Sequence, residues 1–265
     1  MLSLFRNSNG LTFRHNTLRS LRSTVPFLVF AFFLLSGFSA EAFAFKIPET
    51  LNYDLTWTGV KAGEASLEIR QNGDEITITS TARSAKWVSV FYTVKDIVES
   101  RLQKNQRMQG VGQPVNYRLN IREGKNRKNK EVIFDNTALK ATYIDHLENE
   151  RKEFEIPSFI FDPLSSFYFL RTQNLEVGKS LYVTIFDSKK VWNVEVQVLR
   201  KEKVEVPAGE FHTIVVKPLM QSEGIFYRKG EIHIWLTDDE RRIPVMLKTK
   251  IKIGSVNAML VGGTY

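Results

Sequence analysis

Catalysis and metal binding need side chains that converge, and the candidates in this 265-residue chain are few. Past the first 44 residues the histidines are His146, His212 and His233, widely separated and in no spacing that brings imidazoles and carboxylates onto one ion. No metal is expected, and these histidines read as structural. Ser165 and Ser166 stand at a helix start, but no Gly-x-Ser-x-Gly elbow surrounds them and no histidine is near in sequence, so capping or plain exposure is the reading. Asp238, Asp239 and Glu240 could pair for acid–base work, because close like charges push one carboxyl pKa upward. Arg241 and Arg242 follow at once, which makes a solvated, self-neutralising turn the simpler reading. No catalytic residue and no cofactor is therefore assigned. An enzyme acting on envelope sugars or lipids would have to use carboxylates that meet only in the fold, such as Asp96, Glu99, Asp238 and Asp239. The absence of cysteine removes disulfides, thiolate metal sites, cysteine nucleophiles and a lipid-modified cysteine.

Two groupings suit binding better than catalysis. Arg118, Arg122, Lys125, Arg127, Lys128 and Lys130 gather cations around one hairpin, while Lys248, Lys250 and Lys252 recur at every second residue. Lysines at that period stand about 6.6 Å apart along one face of a strand, a pitch suited to anionic head groups or sugar phosphates. The plainer alternative is a solvated face that also guards the sheet against edge pairing. Phe159, Phe161, Phe167, Tyr168 and Phe169 form the second grouping. Such a cluster either lines a site for an apolar or amphipathic ligand between helix and sheet, or fills the core as a plug. Lipid, glycan or another envelope component is the expected kind of partner, and nucleic acid is not.

The elements that would position these residues are mostly strands. Apolar and polar residues alternate with period two along Leu51–Trp57, Ala65–Ile69, Val115–Ile121 and much of the last third, the pattern of strands with one face in a core and one in water. Gly59, Gly63 and Asn72-Gly73-Asp74 read as turns, as do Glu123-Gly124-Lys125-Asn126 and Pro207-Ala208-Gly209. Ser84–Phe91 reads as a short helix or a loop, and a strand is expected at Ile225–Tyr227. At Asp162-Pro163-Leu164 the period turns helical: Asp162 can cap, Pro163 suits the first helical position, and Leu164, Phe167, Tyr168 and Arg171 share one face of a helix of about three turns. Alternation of this kind predicts antiparallel pairing, and some fourteen strands must curl, close or fold over. The expected fold is all-β: an antiparallel, strongly curved sheet, half-barrel or barrel with one docked helix.

The front of the chain carries Arg14, Arg19 and Arg22, then the uncharged apolar run Val25–Phe38, then small residues at Ala42 and Ala44. That order is the order of a secretory signal, with cleavage expected after Ala44, and the apolar run falls short of the roughly 20 residues a spanning helix needs. Residues 1–44 are thus read as a signal peptide and 45–265 as a single β-rich domain. Cleavage would take Arg6, Arg14, Arg19, Arg22 and Glu41 from the 37 basic and 29 acidic residues, leaving a mild net charge of about +5. An exported chain without cysteine suits the periplasm of a Gram-negative bacterium.

Four stretches carry a resemblance: Tyr53–Ala65 (YDLTWTGVKAGEA), Phe161–Arg171 (FDPLSSFYFLR), Val206–Phe211 (VPAGEF) and Ile234–Val245 (IWLTDDERRIPV). In that order they resemble the exported bacterial family known as domain of unknown function 3108. The resemblance implies a secreted β-rich fold and carries no catalytic or binding residue with it. The function expected is a non-enzymatic periplasmic binding or envelope-maintenance protein. An envelope-acting enzyme and an outer-membrane barrel are the alternatives.

Overall fold

The computed structural model describes residues 46–104, 111–219, 231–250 and 254–265. The leader, Ile225–Tyr227 and Lys252 lie outside the described residues. Among the described residues, fourteen strands form one antiparallel sheet. Its first half comprises β1 (Glu49–Trp57), β2 (Val60–Asn72), β3 (Glu75–Ser84), β4 (Lys95–Gln103), β5 (Gln113–Glu123), β6 (Asn126–Asp135), β7 (Lys140–Asp145) and β8 (Glu150–Glu155). The second half comprises β9 (Ser180–Asp187), β10 (Lys190–Val206), β11 (Gly209–Pro218), β12 (Ile232–Thr237), β13 (Pro244–Lys250) and β14 (Ser255–Thr264). Helix α1 (Lys86–Ser89) interrupts the β3–β4 connection, and α2 (Pro163–Arg171) lies between β8 and β9.

Each strand pairs with its sequence neighbours, and β1 pairs with β14, so β8 and β9 are the two edges of an open, curved sheet. Strand turns therefore alternate between two ends. One end holds the β1–β2 and β5–β6 turns, α1 and the β9–β10 turn. The other holds the β2–β3, β10–β11 and β12–β13 turns together with α2.

The inward rows of the first half build one core from Leu51, Ile69, Ile76, Ile78, Leu102, Tyr117 and Tyr143, with Leu164 and Tyr168 of α2 among them. Outward rows carry charge, as Glu64, Glu68 and Arg70 do on β2 and Arg118 and Arg122 on β5. A second core gathers Val183, Ile185, Val194, Val196, Ile214, Val216, Ile234 and Leu236 with Phe161, Leu170 and Leu175. Val215 and Trp235 meanwhile belong to the first core, so β11 and β12 are covered on both faces.

The turns follow local backbone chemistry. Thr58 and Gly59 both take positive φ, 50° and 87°, in the two-residue β1–β2 turn, as a right-twisted hairpin requires. Gly63, expected as a turn, instead lies inside β2, next to a register shift between Leu55 and Thr56. A Cβ there would sit 2.3 Å from the Arg83 carbonyl oxygen, so the glycine serves strand-to-strand approach at a bulge. Ser84–Phe91 does contain a helix, a single turn with Val88 buried beneath it.

Candidate functional site

The polar residues of the FDPLSSFYFLR stretch are turned inward. Asp162 is fully buried and accepts hydrogen bonds from the backbone of Leu164 (2.8 Å) and Ser165 (2.9 Å), while its own backbone N–H donates to the Ser165 hydroxyl at 3.0 Å to complete a capping box. Its other oxygen accepts from Ser100 of β4 at 2.6 Å and from the Ser165 hydroxyl at 2.7 Å. Burial pushes the Asp162 carboxyl upward in pKa, and these donors pull the other way. Nine residues along, Arg171 forms a bidentate pair with Glu49 at 2.6 and 2.7 Å, both side chains buried. The same guanidinium donates to the Arg241 and Arg242 carbonyls at 3.1 and 3.0 Å and lies 5.0 Å from the Tyr168 ring centroid. One arginine with four hydrogen bonds therefore ties α2 to β1 and to the β12–β13 loop. Burial raises the phenols of Tyr53 and Tyr168 well above their ordinary value, and the Tyr53 hydroxyl donates to the Pro244 carbonyl at 2.8 Å.

The five aromatic candidates are distributed around this helix. Tyr168 is in the first core, Phe161 in the second, and Phe161 stacks on Phe169 with centroids 4.5 Å apart. Phe167 packs against both cores, and Phe159 is 57% exposed before the helix begins.

At the opposite end of the sheet lies a pocket of about 360 Å³ on the concave face of β3–β6. Its floor is apolar, from Ala82, Val98, Leu119 and Ile121. Its mouth is polar: Asp96, Glu123, Asn126, Lys128 and Lys130 line it, with Tyr92 and, from the β9–β10 turn, Ser188. None of the five aromatic candidates lines it. Register explains the lysines: Lys128 lies opposite Ile121 and Lys130 opposite Leu119, so both point into the concave side. Lys130 stands 3.6 Å from Asp145 and 5.4 Å from the Tyr143 centroid. Burial lowers its pKa, but Tyr143 and Asp145 outweigh burial and the amine is held above its ordinary value. Lys128 is half-buried and has no ion pair among the described residues. The Ser188-Lys189 turn takes φ of 49° and 73° without glycine, a backbone cost located at the pocket's edge.

The six cations of the β5–β6 hairpin thus do not form one cluster. Period two sends Lys128 and Lys130 inward and Arg118, Arg122 and Arg127 outward, with Lys125 in the turn. Arg118 is engaged by Glu131 at 3.0 Å. Lys248 and Lys250 are exposed on β13. The carboxylates Asp96, Glu99, Asp238 and Asp239 are not brought together. Asp96 lines the pocket, Glu99 faces Arg118 across β4–β5, and Asp238 and Asp239 lie in the loop after β12, paired with Lys201 (2.7 Å) and Arg241 (2.9 Å). His146 contacts Glu131 at 3.0 Å, His233 lies 6.1 Å from Trp235, and among the described residues no three His, Asp or Glu side chains converge as metal ligands. Glu49 was not legible as a functional partner: one acidic residue at a strand start gives no sign that an arginine 122 positions later will bury it.

No helix among the described residues is long and apolar enough to cross a membrane. No curated protein matches the chain. Among solved structures, the chain is similar to a β-barrel-like protein of domain of unknown function DUF1849 from Brucella abortus, at 12% identity and a TM-score of 0.52, over 83% of this chain and 99% of that one. A protein of Bacteroides fragilis with a YmcC-like fold aligns at 10% identity and a TM-score of 0.36, over 83% of this chain and 97% of that one. The first likeness is one of fold. The family described as protein of unknown function, DUF3108, matches residues 52–261, a span that takes in β2 to β13, α2 and the residues lining the pocket, with Glu49 just before it. The chain belongs to the DUF3108 family.

Proposed function

We propose that the chain is an exported, non-enzymatic binding protein of the cell envelope, and that the pocket on β3–β6 holds an amphipathic ligand with an anionic head. The observation that carries this reading is the placement of Lys128: a half-buried cation without an ion-pair partner among the described residues, beside an apolar floor of Ala82, Val98, Leu119 and Ile121. A cation beside an apolar floor offers the two kinds of contact that an anionic amphiphile needs. The volume, about 360 Å³, falls at the lower end of the range that small-molecule sites occupy, roughly 300–1,000 Å³. An apolar floor with a few polar groups at the mouth also matches how such sites fix orientation. Export is supported by the charge-then-apolar leader. The charged outward rows of β2 and β5 are the reverse of the apolar outer band a membrane-spanning barrel needs, which favours a domain in water over an outer-membrane barrel. The space between helix and sheet, the other place for a ligand, is occupied by Leu164, Tyr168, Phe161 and Leu170.

Native mass spectrometry of the processed protein, released from its own envelope by osmotic shock, tests the reading. The expected result is a discrete adduct that dissociates as an anionic amphiphile. A ligand-free protein at all collision energies would defeat it.

A further inference from the structure

The rim of the pocket end carries a second feature, resting on residues other than those of the ligand pocket. Helix α1 and the residues after it project from the sheet with apolar side chains in water: Val90 is 86% exposed, Phe91 63%, Trp87 46%, and Val60 of the adjoining β1–β2 hairpin 58%. The projection is held in place. Val88 is buried beneath it, the Trp87 indole donates to the Lys61 carbonyl at 3.1 Å, and the Trp87 and Phe91 rings lie 6.0 Å apart.

Just below this apex, on the outer face, runs a row of cations across four adjacent strands. Arg83 of β3 is directly opposite Lys95 of β4, and Arg122 of β5 is directly opposite Arg127 of β6. The bridge between Val94 and Glu123 sets Lys95 and Arg122 side by side. Like charges facing each other across strands destabilise a sheet. None of the four forms an ion pair among the described residues, and the Arg127 guanidinium donates only to the Gly124 and Asn126 carbonyls. Lys86 and Lys125 add two more exposed cations at the rim. Of the nearby acids, Glu64 lies directly opposite Arg83 but pairs with Lys61 at 2.9 Å, Asp54 pairs with the same lysine at 2.7 Å, and Asp96 and Glu123 lie on the inner side, lining the pocket.

We infer that this rim docks on an anionic lipid surface, with Val90, Phe91 and Trp87 entering the head-group region and the cation row lying against the phosphates. The counter-charge that the row lacks within the molecule is what such a surface supplies. The shape favours lipid over a protein partner: exposure is greatest at the convex apex, which a soft interface accommodates and a folded surface would have to match with a dedicated cleft. Aromatic side chains above a basic band are suited to that interface. Tyr92 follows the apex directly and lines the pocket, so docking turns the pocket mouth toward the bilayer.

Flotation of the processed protein with vesicles tests this. Vesicles of phosphatidylglycerol with phosphatidylcholine are expected to carry the protein up the gradient, vesicles of phosphatidylcholine alone are not, and raised salt is expected to release it. The variant Val90→Ser with Phe91→Ser, and separately Arg83→Gln with Lys95→Gln, should each lower partitioning at least tenfold with an unchanged circular dichroism spectrum. Quenching of Trp87 by brominated lipid, absent in a Trp87→Phe control, should accompany binding. Failure to float with anionic vesicles would overturn the inference, as would partitioning of both variants equal to that of the parent chain, or capture of a protein by the apex without vesicle binding. The pocket reading is unaffected by any of these results, since the adduct seen by native mass spectrometry is a separate readout.

Discussion

The two ends of the curved sheet are built on opposite terms. At the α2 end every buried charge has been matched: Arg171 is shared among Glu49 and two carbonyls, and Asp162 accepts from Ser100, Ser165 and two backbone amides. At the α1 end the matching stops short. Lys128 stands beside an apolar floor without an ion pair among the described residues, cations oppose cations across strands, and the Ser188-Lys189 turn takes left-handed backbone without glycine. A closed network locks one arrangement and has no spare valence, whereas unmatched charge beside a cavity leaves free energy for something from outside to collect. The lesson is that the conspicuous motif, FDPLSSFYFLR, marks the end that holds the fold, and the binding surface has the quieter sequence.

Breaking the closed end should cost most. Arg171→Met leaves Glu49 buried without its partner and is expected to lower stability by about 3–5 kcal/mol, read as a fall in the urea midpoint. Adding Glu49→Leu removes the stranded charge and should restore most of that loss. Gly63→Ala comes next, since its Cβ would meet the Arg83 carbonyl at 2.3 Å; a loss of about 1–3 kcal/mol is expected in the same titration. Ser165→Ala, which removes one arm of the capping box and a hydroxyl donor to Asp162, should cost about 1–2 kcal/mol.

The other end should answer differently. Ser188→Gly relieves a left-handed backbone and is expected to raise stability by about 1 kcal/mol, seen as a higher thermal midpoint. The smallest effect concerns acid. The ammonium groups of Lys152 and Lys189 hold the partly exposed Glu150 carboxyl down at about 2 from its ordinary 4.5. Because the folded pKa is the lower one, the stability this group contributes is present above about pH 4.5 and is lost as pH falls from there toward about 2. Glu150→Gln should therefore flatten the stability profile across that interval, lowering stability slightly near neutrality and leaving it unchanged near pH 2.

Much of the architecture was legible because strand period is a local property. The alternation along Val115–Ile121 placed Tyr117, Leu119 and Ile121 on the inner face, and Asp162 with Pro163 marked where α2 begins. Two features escaped. Gly63 looked like its neighbour Gly59, and only pairing with β3 reveals that one glycine turns the chain while the other admits a carbonyl. The continuous burial of Thr213–Val216 reflects cover on both faces, supplied by a segment some fifty residues earlier, which no local window contains. The site was legible only in part. Lys128 and Lys130 stood out as cations, but their separation from Arg122 and Arg127 depends on which face is concave. The floor beneath them comes from three other strands, and the apolar apex from a segment that read equally well as loop.

The most direct test compares the two ends in one measurement. Native mass spectra of the envelope-derived protein should be taken for the parent chain, for Lys128→Glu at the pocket and for Phe169→Leu against the helix. The expected result is an anionic amphiphile bound to the parent and to Phe169→Leu, and lost from Lys128→Glu. Loss from Phe169→Leu with retention in Lys128→Glu would put the ligand beside α2 and contradict the division of labour between the two ends.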